Sequence, residues 1–251
     1  MLEILKNRTY RHLFLAQVVA LLGTGLATVA LSLLAFDLAG DKAGQVVGTA
    51  MAIKMVAYVF IAPIAAALAE NIPRRVMLVS LDLVRAAVAL ALPFVTEVWE
   101  VYVLIAVLQS ASAAFTPTFQ STIPDTLPNE DDYTRALSLS RLAYDLENLI
   151  SPALAGMLLL VTSWQGLFSG TVVGFIASAL LVVSVALPSG SAPEKRRGIY
   201  ERSRRGFRIF LATPRLRGLI ALNVVVSMAG SMVIVNTVVI VQGGFGLTDQ
   251  H

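Results

Sequence analysis

The sequence contains no cysteine. That removes disulfide frameworks, thiol catalysis and cysteine-based metal sites from consideration. Histidine is almost as scarce. His12 and His251 stand far apart at polar edges of the 251-residue chain, so a histidine metal cluster is not expected. Charge is sparse as well: 14% of residues are Asp, Glu, Lys or Arg, against about 25% in a soluble domain. No nucleophile–base pair or glycine-rich phosphate loop is present, so neither an enzyme nor a cofactor is expected.

What remains is apolar. Hydrophobic residues make up 57% of the chain, and the mean hydropathy is +0.76. They are arranged in seven runs, at roughly 13–36, 46–69, 76–95, 101–119, 137–161, 165–187 and 218–241. About 20 apolar residues span a bilayer. Without water to satisfy the backbone, such spans are helical, so the fold class is an all-α polytopic membrane protein. Secretory apolar segments are only about 7–15 residues long. The longer first run therefore reads as a retained helix.

Lys and Arg placement sets the expected orientation. With the N-terminus in the cytoplasm, fifteen of the 19 Lys and Arg fall on the inner side, and Lys42 alone falls outside. Lys54, Arg85 and Arg141 lie within spans. The expected divisions are a six-helix bundle over 1–187, a basic cytoplasmic loop over 188–217, and a seventh helix with an outer tail over 218–251. In the loop, Tyr200, Phe207, Phe210 and Leu211 share one helical face. This suits a short amphipathic helix on an anionic leaflet, or an ordinary basic inner loop. The positive-inside bias accounts for the charge, so the expected partner is the lipid bilayer and not nucleic acid.

Charge inside a membrane costs about 2.5–3.5 kcal/mol on insertion scales and marks function or internal pairing. Asp82 and Arg85 are three apart on the third span, the spacing of a bracing ion pair. The fifth span is the most polar. Arg141, Asp145, Asn148 and Pro152 share one face, while Glu147, Ser151 and Ala155 form another. Arg141 pairs readily with Asp145, which leaves Glu147 without a local partner. An unpaired carboxyl there carries a proton or binds a cation, or else bonds to a neighbouring helix. Lys54, on the second span, lies at a similar depth. It suits a carboxylate partner, an anionic substrate, or an outward-reaching position. Gln17, Thr24 and Thr28, beside Gly23 and Gly25 on the first span, and Gln109 on the fourth, suit a cavity lining or plain packing.

There is also a faint repeat. Ile61-Ala62-Pro63-Ile64-Ala65-Ala66 and Ile150-Ser151-Pro152-Ala153-Leu154-Ala155 each fall on the second helix of a three-helix set, and the two helices run in opposite directions. An inverted-topology repeat has this form.

The polar gap Ala66-Ala67-Leu68-Ala69-Glu70-Asn71-Ile72-Pro73-Arg74-Arg75 resembles the loop 2–3 motif of the major facilitator superfamily, Gly-x-x-x-Asp-Arg-x-Gly-Arg-Arg. Ala66, Glu70, Asn71 and Pro73 depart from it; an acid and the two closing arginines remain. The segment from Pro117 to Arg135, the string Asp82-Leu83-Val84-Arg85-Ala86, and Ser151-Pro152-Ala153-Leu154-Ala155-Gly156 are similar to the family's helix 4–5 segment, helix 3 and helix 5 antiporter motif. The whole is most similar to the drug- and siderophore-exporter branch. The resemblance implies two six-helix halves around a midplane cavity, working by alternating access. It also implies a multi-pass protein of the plasma membrane that exports small amphipathic molecules, with the proton as a coupling partner. Glu70, Arg74, Arg75 and Asp125 take the place of the cytoplasmic gate. Thr24 stands where related exporters often carry an acid, which shifts proton binding toward Glu147 and Asp145. Family members have about twelve helices, so this sequence corresponds to the first half plus helix 7, with the second half truncated and the C-terminus outside. Such a chain alone is expected not to transport. A non-transporting membrane remnant or scaffold is the alternative.

Overall fold

A computed structural model describes residues 2–68, 72–187, 208 and 212–238. Its described elements are helices, as expected, and among the described residues there is no strand. The α-helices are α1 (Arg8–Ala39), α2 (Ala43–Leu68), α3 (Arg74–Ala91), α4 (Val98–Thr126), α5 (Glu130–Leu159), α6 (Trp164–Val183) and α7 (Pro214–Val238). The chain divides into two compact units, Met1–Glu194 and Lys195–His251, and α7 belongs to the second. The proposed amphipathic segment between Tyr200 and Leu211 lies almost wholly outside the described residues, Arg208 being the exception.

Local chemistry sets the helix ends. The Asn7 side chain accepts from the Tyr10 N–H at 3.1 Å and caps α1, a capping interaction worth about 1 kcal/mol. Gly40 ends α1 with φ +51°, a conformation that favours glycine. Pro73 stands at the N-cap of α3, where its missing N–H costs nothing. Glu97 and Glu100 close a capping box on α4. Asn129 caps α5, and Glu130, Asp131 and Asp132 sit in its first turn, where the positive end of the helix dipole favours them. Pro63, Pro117, Pro124 and Pro152 are all accommodated inside helices.

Among the described residues, four helical segments are long and apolar enough to cross a membrane by length and composition. They are Arg8–Ala66, which takes in α1 and α2, and Arg74–Phe94, Val98–Thr126 and Trp164–Val183. α5 is not among them, because Asp145, Glu147 and Asn148 interrupt its middle.

In the first unit α1 packs mainly on α6 and α5, α2 on α4, and α3 between α4 and α6. Buried clusters hold both ends of the bundle. One gathers Leu34, Leu92, Val101 and Leu167. The other gathers Tyr10, Leu13, Phe119 and Ile123. Between them α1 and α6 meet through glycine. A Cβ added at Gly174 would lie 3.2 Å from Gly23 Cα and 3.2 Å from the Val19 carbonyl. The Thr171 hydroxyl donates to the Gly23 carbonyl at 3.0 Å. Small residues let membrane helices approach this closely. Gly174→Leu is therefore expected to destabilise the bundle by about 1–3 kcal/mol, the range for overpacking. Gly44→Ala, which points into open space, serves as the control with no loss. Thermal unfolding in detergent checks both.

Candidate functional site

The middle of the bundle holds a cavity of about 310 Å³, at the lower end of the range for small-molecule sites, about 300–1,000 Å³. α1 contributes Gln17, Thr24, Gly25 and Thr28. α2 contributes Met51, Lys54 and Tyr58. Arg85 comes from α3, and Ser112, Phe115 and Thr116 from α4. α5 completes the lining with Tyr144, Glu147, Asn148 and Ser151.

Arg85 and Asp82 form a buried pair at one wall. Asp82 Oδ1 accepts from the Arg85 guanidinium, and Asp82 Oδ2 accepts from the Ser178 hydroxyl at 2.7 Å. The guanidinium also sits 4.2 Å from the Phe115 ring centroid and 4.5 Å from that of Phe175. Each cation–π contact adds attraction in a desolvated setting. The pair thereby ties α3 to both α4 and α6.

Glu147 is half-buried on the α5 side. A Cβ at Gly25 would fall 2.7 Å from its Oε1 and would overlap the Ser151 side chain, so α1 and α5 touch where the cavity begins. Lys54, half-buried on α2, lines the same cavity, although the two do not close to an ion pair. The Thr116 and Tyr144 hydroxyls, also in the lining, are 3.4 Å apart and join α4 to α5.

The other sequence candidates fall in several places. Gln17 is buried, and its Oε1 accepts from the Ser140 hydroxyl at 3.0 Å, linking α1 to α5. The Thr24 and Thr28 hydroxyls donate one turn back, to the Ala20 and Thr24 carbonyls. Asn148 is exposed and donates to the Tyr144 carbonyl at 2.9 Å. Asp145 pairs with Arg141 at 3.3 Å on an exposed face and is not part of the lining. Gln109 is half-buried away from the cavity. Among the described residues no group of three His, Asp or Glu side chains gathers to hold a metal.

At the far end of the bundle, Arg74 meets Asp125 at 2.5 Å and also donates to the Ser121 carbonyl. Arg75 donates to the Val183 carbonyl, at the C-terminal end of α6, where a cation complements the helix dipole. The first residues of α3 are thus tied to the ends of α4 and α6. Glu70 lies outside the described residues.

Some lining residues escaped sequence reasoning. Tyr58 stands one turn beyond Lys54 on the same face of α2, so the helical period pointed to it. Ser112 and Thr116 repeat at i, i+4 on α4 in the same way. Arg85 was visible as half of a pair, but its place in the cavity wall was not. Nothing in the sequence marked Ser178 or Phe175 as partners of that pair.

Helices of membrane-spanning length surround a mid-bundle cavity. The chain belongs to the Major Facilitator Superfamily, whose sequence model matches residues 13–250. It is also similar to the Uncharacterized MFS-type transporter YfiS of Bacillus subtilis (strain 168), with 25% identity over 124 residues. The matched stretch covers 49% of this chain and 30% of that protein.

Proposed function

We propose that this protein is a secondary-active exporter of small amphipathic molecules, coupled to the proton gradient and working by alternating access in the plasma membrane with its N-terminus cytoplasmic. The observation that carries this reading is the mid-bundle cavity with a half-buried carboxyl, Glu147, in its wall. Intramembrane acids facing a cavity are the usual proton carriers of such proteins. Glu147 takes a proton while the cavity faces the acidic side and yields it on the other. Neutralising Glu147 also removes its pull on Lys54, so protonation and substrate occupancy compete for one electrostatic setting. Arg74, Arg75 and Asp125 brace the inner end of the bundle so that it moves as a rigid body and gates the cytoplasmic side, a role that the family resemblance also gives to Glu70. The lipid bilayer and the proton are its partners.

The absence of cysteine supplies a test, because any introduced cysteine is unique. Thr28→Cys and Asn148→Cys, in the cavity lining, are expected to react with a membrane-impermeant maleimide and to be protected by an amphipathic dye. Val173→Cys and Leu180→Cys, exposed on the apolar face of α6, are expected to stay unreacted, since the thiolate needs water. Equal labelling of both sets would remove the cavity from the account.

A further inference from the structure

The charged side chains lining the cavity are of two kinds. Arg85 already has its counter-ion: Asp82 neutralises it, and both Asp82 oxygens are engaged. Lys54 and Glu147 do not. Neither has an ion-pair partner among the described residues, and each lines the cavity from a different helix. The Arg141–Asp145 pair cancels its own charge outside the lining. Among the described lining residues the cavity therefore presents one ammonium group and one carboxyl group without an ion-pair partner, on different helices.

The lining also carries apolar and aromatic side chains, Leu21, Val29, Met51 and Phe115 among them. In such a setting the Coulomb interaction is stronger than in water. A monoanion drawn to Lys54 is repelled by Glu147, and a monocation drawn to Glu147 is repelled by Lys54. A ligand carrying both charges meets neither penalty and satisfies both groups. Its apolar body meets the aromatic and aliphatic wall.

We propose that the cavity takes a small amphipathic zwitterion, its anionic group on Lys54 and its cationic group on Glu147. This assignment rests on the cavity being the substrate site of the carrier proposed above, and it narrows the amphipathic class to molecules with both charges.

Three probes on one skeleton test it: 4-fluorophenylalanine as the zwitterion, 3-(4-fluorophenyl)propionate as the anion and 4-fluorophenethylamine as the cation. Binding to the purified chain in detergent is followed by fluorine NMR line broadening. The zwitterion is expected to bind about tenfold more tightly than either relative. Lys54→Gln is expected to erase its advantage over the amine, and Glu147→Gln its advantage over the propionate. Exchanging the charges, Lys54→Glu with Glu147→Lys, is expected to keep the zwitterion preference in protein that elutes as the wild type does. The proposal is overturned if the zwitterion does not bind or if a singly charged probe binds as tightly. It is also overturned if the two single variants rank the probes as the wild type does, or if the folded exchange variant loses the preference. Because binding in detergent needs no flux, the two readings fail separately. Zwitterion preference without transport by the complete gene product would retire the carrier alone. Transport without charge preference would retire the zwitterion alone.

Discussion

Asp82→Ala is expected to destabilise the six-helix bundle by about 3–5 kcal/mol, the cost of removing one partner from a buried ion pair. Arg85 is 3% exposed and would be left charged between two phenyl rings with no counter-ion. The Ser178 hydroxyl would lose its acceptor at the same time. The rings soften the loss but cannot replace a carboxylate, because a cation–π contact is worth only about 0.5–2 kcal/mol. Replacing both partners with apolar residues, as in Asp82→Leu with Arg85→Met, is expected to recover most of the stability, since burying the pair itself carries a desolvation cost. Denaturant titration of the three variants in detergent makes the comparison. A single-variant loss below about 1 kcal/mol would match an exposed pair and would contradict the bracing role.

The second large effect is on coupling. Glu147→Gln preserves shape and removes the charge, so the bundle is expected to stay folded. Proton-driven flux is expected to fall to the leak rate of empty vesicles, because the amide cannot exchange a proton. Asp145→Asn should behave differently. Asp145 sits on an exposed face with Arg141 beside it, and exposed pairs contribute about 0–1 kcal/mol. Flux close to wild type is expected there.

These two acids show where the sequence was legible and where it was not. The apolar runs located the helices, since a bilayer-spanning stretch and a Pro73 or Gly40 boundary are local signals. Periodicity on α5 separated Asp145 from Glu147, because residues two apart lie on opposite sides of a helix, although Asn148 and Pro152, expected on the Asp145 face, line the cavity with Glu147. It could not say which face turns inward. That depends on how α5 meets α1, a contact set by Gly25 against Ser151 and Glu147, more than 120 residues apart in sequence. The same holds for Asp82 and Arg85. Their i, i+3 spacing revealed the pair, but Phe115, Phe175 and Ser178 arrive from other helices. Gly23 stood in the sequence only as a neighbour of Thr24; in the structure it is a contact point for Gly174. The pairing of Arg74 with Asp125 was implied only by family resemblance, and their separation in the chain holds no local clue.

The most direct test of the proposed function is dye export by the complete gene product in proteoliposomes under an imposed pH gradient, with Glu147→Gln beside it. The account predicts gradient-dependent export by the wild type that collapses with the gradient and is absent in Glu147→Gln. Equal export by the two proteins, or export indifferent to the gradient, would contradict it.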